Sequence, residues 1–142
     1  MIYSKNGLSL TEQFEGCELT AYRDIAGVWT NGYGNTHGVV PGSTITQEQA
    51  GADLLANVQN SVNDVGRLVT VPLTQEEFDA LVDFDFNLGS PRLRGSTLLK
   101  LVNAGNFEEA AEEFEKWDMA GGKHVAGLLR RRVAEATEFK GG

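Results

Sequence analysis

One stretch limits what this chain can become. From Ala21 to Val40 it reads AYRDIAGVWTNGYGNTHGVV, rich in glycine and β-prone residues, while both flanks carry apolar residues at helical spacing. A short β element is therefore inserted early in a chain that is otherwise helical. Within it, Asp24-Ile25-Ala26-Gly27 reads as a turn and Val28-Trp29-Thr30 as a short strand. Asn31-Gly32 fits either a two-residue hairpin turn or a point where another backbone comes close. Gly32, Gly34 and Gly38 make no phosphate-binding loop, because no lysine-bearing GxxxxGK[ST] run and no following helix accompany them.

The flanks predict the helices. Leu10, Phe14 and Cys17 fall at i, i+4 and i+7 of a first helix over about Ser4 to Glu18, with Ser9 and Glu12 spaced as a capping box inside it. Gly16 and the β-leaning LTAY end that helix near Glu15 to Glu18, so Glu15 sits on its last turn, where the helix dipole gives a carboxylate no help. A long helix opens at Thr46-Gln47-Glu48-Gln49 and runs to about Gly66. Pro72-Leu73-Thr74 with Glu77 starts another that closes near Gly89. Ser96 to Ala104 is a short helix stopped by Gly105. Asn106 caps a further one carrying Phe107, Ala110, Ala111, Phe114 and Trp117, Gly121-Gly122 breaks the chain, and a last helix covers about Lys123 to Phe139. The fold class is α+β and mostly helical. It forms a single domain over 1–142 with a β-containing lobe at about 15–45, a connecting helix at about 46–66 and a helical lobe at about 72–139, leaving a cleft between two lobes.

Composition narrows the function. A hydrophobic share of 41% and a charged share of 23% over 142 residues belong to a globular domain rather than a disordered chain. No run of eighteen apolar residues is present, and the opening Met1–Gly16 has no apolar core of signal-peptide length, so synthesis in a cytoplasm is expected. Cys17 is the only cysteine and His37 and His124 are the only histidines, which excludes an internal disulfide and leaves too few soft ligands for zinc. No metal and no cofactor are expected, and Cys17 reads as a buried spectator thiol.

The net charge of −8 is uneven: residues 1–90 hold 12 acids against 3 bases, and residues 91–142 hold 8 against 9. An acidic chain is poorly suited to nucleic acid or to anionic membranes. The one basic run, Arg130-Arg131-Arg132, reads as a solvated helix face with one arginine paired inward. The final LLRRRVAEATEFK segment has too short an apolar face for a membrane-active helix.

Glu15, Asp24 and Thr30 are the candidate site. Two carboxyl groups flanking a cleft suit glycosidic cleavage, in which one protonates the leaving oxygen and the other supports the developing cation or activates water. EGCELTAYRD followed by GVWTNGYGNTHGV resembles the phage-type lysozymes, the endolysin family that includes the T-even phage lysozyme. That family spaces glutamate, eight residues, aspartate, five residues and threonine, and Glu15, Asp24 and Thr30 fit the frame without a gap. FNLGSPRLRGSTLLKLVNAGNFEEAAEEFEKW and AGGKHVAGLLRRRVAEATEF resemble its C-terminal lobe, so the likeness covers roughly residues 4 to 139.

The resemblance implies a two-lobed lysozyme-like fold and a muramidase that hydrolyses the β-1,4 bond between N-acetylmuramic acid and N-acetylglucosamine in peptidoglycan, with inversion. It implies Glu15 as general acid, Asp24 assisting electrostatically and in placing water, and Thr30 bonding near that water. Phe86-Asn87 matches a cleft-lining pair, with Phe86 equally able to be a core aromatic. A monomer released to the wall by a separate phage pore protein is also implied.

Three departures stand out. Asn31 and Asn35 replace the isoleucine and histidine common in the family, Asp83 and Asp85 bring charge near the cleft, and the acidic balance should weaken attraction to an anionic wall. Such departures would equally suit a designed or recombined member. The competing reading is a lysozyme-fold module that holds glycan without cutting it.

Overall fold

A computed structural model describes all residues, 1–142, and divides them into two compact units, Thr11–Gln59 and the combination of Met1–Leu10 with Asn60–Gly142. The architecture is mostly helical α+β, as expected, with two separate two-stranded sheets.

Helix α1 (Lys5–Glu15) begins where Ser4 Oγ accepts from the Gly7 N–H at 3.1 Å, so Ser4 rather than Ser9 closes its first turn. The helix stops at Glu15, before the left-handed Gly16, and Glu18 already belongs to strand β1 (Glu18–Arg23). Cys17 consequently lies outside the helix and is exposed, against the buried thiol expected from its i+7 spacing. Strand β1 pairs antiparallel with β2 (Trp29–Gly32), Tyr22 opposite Thr30 and Arg23 opposite Trp29. The Asp24–Gly27 turn between them closes with Gly27 N–H on the Asp24 carbonyl at 2.9 Å.

The ambiguity at Asn31-Gly32 resolves as a close approach. Gly32 has φ +57°, and a Cβ there would lie 3.3 Å from Ala50 Cβ and 3.4 Å from Ala50 Cα. Helix α2 (Gln47–Asn57), capped by Thr46, thus packs its fully buried Ala50 on strand backbone. Beyond Gly32 the chain turns back, and Asn31 and Asn35 exchange backbone hydrogen bonds at 2.9 and 2.8 Å. Their side chains join the same turn. Asn35 Nδ2 donates to Asn31 Oδ1 at 3.1 Å and to the His37 carbonyl at 3.0 Å, while Asn57 donates to Asn35 Oδ1 at 3.1 Å. The two asparagines that depart from the family's usual residues are therefore a buried, mutually bonded pair.

The expected long helix is interrupted at Val58, and a separate helix α3 (Gln59–Leu68) follows. Helix α4 (Gln75–Leu88) carries the full Thr74–Glu77 capping box and ends at Gly89, φ +93°. A short helix α5 (Ser90–Arg94), not expected from the sequence, starts with Pro91 in its first turn. Helices α6 (Thr97–Asn103), capped by Ser96, and α7 (Phe107–Glu113) follow, the latter without a side-chain bond from Asn106. A 3₁₀ turn, Phe114–Lys116, leads to a second unexpected element, the hairpin β3 (Met119–Ala120) and β4 (Lys123–His124). Gly121 and Gly122, at φ +58° and +77°, supply its two-residue turn. Helix α8 (Ala126–Phe139) packs along α4.

The core of the larger unit is apolar around Phe84, Leu93, Leu98 and Phe114, with Phe84 and Phe114 edge to face at 5.8 Å. It also encloses charge. Two arginines of the basic run turn inward, not one, leaving Arg130 outside. Arg131 grips Asp83 with two bonds of 2.9 Å, and Arg132 lies 2.7 Å from Glu135. Asp83 is thus paired with a buried cation, although it still raises the proton affinity of the nearby Glu135.

Asp85, also buried, is pushed up to about 7 by desolvation and by Asp64, against the opposing effect of a hydrogen bond with Ser61 and of Arg67. Glu135 is held well above the usual carboxylate range by burial and by the neighbouring Asp83. At the other end of α4, Ser4 donates from its N–H to Asp79 Oδ1 at 3.2 Å and from its hydroxyl to Oδ2. Gln75 joins Asp79 at 2.8 Å and the Ile2 carbonyl at 2.9 Å. No helix is long and apolar enough to cross a membrane.

Candidate active site

The smaller unit contains a concavity of about 380 Å³, with Glu15, Cys17, Tyr22, Gly32 and Gly34 among its walls. Glu15 reaches it as the last residue of α1. A Cβ placed on Gly34 would sit 3.9 Å from Glu15 Oε1, so bare backbone faces the carboxylate where any other residue would project a side chain. Gly34 also has φ +77°, which L side chains rarely adopt, so the turn and the open space have the same cause.

That turn is held from behind by Tyr33. Its buried hydroxyl accepts from Gln47 Nε2 at 2.7 Å and donates toward Glu12. Burial first, then the hydrogen bond to Glu12, pushes the phenol up to about 12, so it stays a donor. Glu12 lies one turn before Glu15 on α1, and Tyr33 lies between the two glycines. The bond therefore ties the helix bearing the acid to the loop facing it.

Asp24 and Thr30 sit on the β1–β2 hairpin of the same unit, and neither lines that concavity. Both are fixed on Val28. Asp24 Oδ1 accepts from the Val28 N–H at 2.8 Å, and its own N–H donates to the Val28 carbonyl at 2.9 Å. Thr30, only 4% exposed, donates its hydroxyl proton to that same carbonyl at 2.9 Å. With its proton committed, Thr30 Oγ1 can act only as an acceptor toward anything else, a water proton included. Asp24 keeps Oδ2 without a protein donor, so one oxygen anchors the residue and the other is left for chemistry.

Phe86 and Asn87 belong to the larger unit, near the end of α4, and both are half-buried. Asn87 Oδ1 accepts from Arg132 Nη2 at 2.8 Å, which fixes the orientation of its amide. Phe86 takes no part in the ring contacts made by Phe84, Phe114 and Trp117. Glu18 is exposed.

Sequence reasoning missed Tyr33, Gln47 and Asn57, which hold the site without carrying its chemistry. A tyrosine between two glycines offered a faint signal, whereas Gln47 and Asn57 lay within an unremarkable helix. No group of three or more metal-ligating side chains is gathered anywhere in the structure.

The chain as a whole is similar to known proteins. Residues 12–135 match the family model described as phage lysozyme. The endolysin of Acyrthosiphon pisum secondary endosymbiont phage 1 is 42% identical over 144 aligned positions, covering 99% of each chain. The endolysin of Bacillus phage B103 is 43% identical over 98% of this chain, which spans only 54% of that longer protein. Among solved structures, a mutant of the lysozyme of phage P22 superposes with a TM-score of 0.92 at 36% identity, covering 99% of both chains.

Proposed function

Because the chain belongs to the phage lysozyme family, we propose that it is an endolysin-type muramidase whose acid is Glu15. Its substrate is the β-1,4 bond between N-acetylmuramic acid and N-acetylglucosamine of bacterial peptidoglycan. Glu15 donates a proton to the glycosidic oxygen as the bond to the anomeric carbon breaks. Asp24 stabilises the positive charge that develops on the sugar and, with its unanchored oxygen, helps place the incoming water. Thr30 accepts a hydrogen bond from that water, turning a lone pair toward the anomeric carbon; the Asp24 carboxylate takes the water's proton as the new bond forms, and the product has inverted configuration. Phe86 and Asn87 are further glycan-binding residues. The enzyme acts as a monomer on the wall, after release from the cytoplasm in which it is made, and needs neither cofactor nor nucleic acid.

The observation that carries this reading is Glu15 on a concavity wall with the bare backbone of Gly34 opposite its carboxylate. The test is the rate at which permeabilised cells or purified peptidoglycan are cleared. Glu15→Gln, checked for folding, should lose about 10²–10⁴-fold or more, the usual worth of general acid catalysis, while Glu18→Gln keeps most activity. Equal clearing by the parent and Glu15→Gln would reject Glu15 as the acid. Binding without clearing by either would favour a glycan-holding module.

A further inference from the structure

Three consecutive residues at the end of β2 each meet a different neighbour. Gly32 lies against Ala50 of α2, where a Cβ would come within 3.3 Å, and Gly34 presents bare backbone to the Glu15 carboxylate. Tyr33 stands between them, only 9% exposed, and its hydroxyl reaches both helices at once. The oxygen accepts from Gln47 Nε2, on the first residue of α2, at 2.7 Å, and its proton goes to Glu12 on α1.

The two bonds have a fixed direction. Gln47 Nε2 can only donate, so it occupies a lone pair of the phenol oxygen and leaves the phenol proton for Glu12. Burial, and then Glu12 itself, keep that proton on the oxygen throughout neutral pH.

Glu12 precedes Glu15 by three residues, which puts both on one face of α1, a single turn apart. Holding the Glu12 carboxylate therefore holds the last turn of α1, and with it the direction in which Glu15 leaves the helix. That turn lies at the very end of the helix, because Gly16 at φ +67° follows the acid directly and Cys17 beyond it is exposed. A general acid works within about 2.6–3.2 Å of the oxygen it protonates, and a displacement on the order of 1 Å costs roughly a hundredfold in rate.

We infer that Tyr33 is a positioning residue for the acid: its hydroxyl, held between Gln47 and Glu12, sets where the Glu15 carboxyl stands relative to the glycosidic oxygen. Tyr33 is not among the walls of the concavity, so it acts through α1 rather than on the glycan. The inference rests on the muramidase reading and concerns proton donation alone.

The experiment compares the parent with Tyr33→Phe, Glu12→Ala, Glu12→Gln and Tyr33→Phe/Glu12→Ala, each checked for folding by circular dichroism and thermal unfolding. Two substrates are used. One is peptidoglycan; the other is a disaccharide ending in N-acetylmuramic acid with a dinitrophenolate leaving group, an anion that departs without a proton.

On peptidoglycan, Tyr33→Phe and Glu12→Ala should each lose about 10- to 100-fold in kcat with KM unchanged. The double variant should lose no more than either one, since all three lack the same bond. Glu12→Gln, whose amide oxygen still accepts the phenol proton, should keep most of kcat. On the activated glycoside, Tyr33→Phe should stay within about twofold of the parent, because little proton donation is needed there. Losses that multiply in the double variant overturn the inference, and so does an equal loss on the activated glycoside, which would mean a loosened site rather than a displaced acid. Full clearing by Tyr33→Phe beside an inactive Glu15→Gln rejects the inference alone. A parent that clears no peptidoglycan, or that Glu15→Gln matches, rejects the muramidase reading, and the inference falls with it.

Discussion

Arg132 donates from Nη2 to Asn87 Oδ1 at 2.8 Å while its Nε lies 2.7 Å from Glu135 Oε1, so one fully buried guanidinium serves an amide near the end of α4 and a carboxylate on its own helix. Removing it strands Glu135 in the core, where Arg131 is 3.9 Å away. Arg132→Met should therefore cost about 3–5 kcal/mol, the loss typical of breaking one half of a buried pair. Arg132→Met/Glu135→Leu should recover a large part of that loss, because the buried charge leaves with its partner. Urea unfolding of both variants measures the difference.

Gly32 and Gly27 separate two costs that glycine replacement usually mixes. Both have positive φ, +57° and +82°, but only Gly32 faces another backbone, with Ala50 Cα 3.4 Å from the added Cβ. Gly27→Ala should cost about 1–2 kcal/mol, the left-handed penalty alone. Gly32→Ala should cost roughly 1–3 kcal/mol more through overpacking against α2. Equal midpoints in thermal unfolding would show that α2 moves aside freely.

The protonation of Asp85 makes stability depend on pH. Its folded pKa of about 7 lies above its ordinary 3.8, so the native state holds a proton that the unfolded chain has released. The contribution is complete below about pH 4 and is lost as the pH rises through 7, a change on the order of 4 kcal/mol. Glu135 is shifted in the same direction and adds to the slope. Asp85→Asn should flatten the stability curve between about pH 4 and 7. An unchanged slope in that variant would assign the dependence elsewhere.

Cys17 is exposed and shares the walls of the concavity with Glu15. A thiol reagent should therefore react with the native protein without denaturant. A bulky maleimide should reduce peptidoglycan clearing more than methylation of the same thiol does, because it fills space beside the acid. Mass spectrometry reports the modification and the clearing assay its effect.

What was legible in the sequence was local. The Thr46, Thr74–Glu77 and Ser96 caps, the stop at Gly89, and the end of the first helix near Glu15 all depend on residues within a few positions of each other. Motifs of that range can be read from a string. Arg131 and Asp83 are 48 residues apart, and nothing in the helical period around either one announces the other. The basic run accordingly looked more solvated than it is. Cys17 misled for the opposite reason: its spacing fitted a helix that Gly16 had already ended.

At the candidate site, the spacing of Glu15, Asp24 and Thr30 was visible, and so was the turn-and-strand pattern carrying the last two. The anchors on Val28, the tie between Tyr33 and Glu12, and the glycine facing the acid were not, because each is a relation across a fold rather than along a chain. Gly121-Gly122 shows the same limit at short range. It was read as a break, and only the pairing of Met119 with His124 makes it a hairpin.

The bond from Ser4 to Asp79 joins residues 75 positions apart, and it bears on the order in which the protein can be made. A ribosome releases Thr11–Gln59 whole while the larger unit still lacks nearly everything but its first ten residues. Until Asp79 emerges, Ser4 lacks the carboxylate that it meets in the folded protein. The contact at the start of the acid-bearing helix therefore becomes available only after more than half of the chain has been translated.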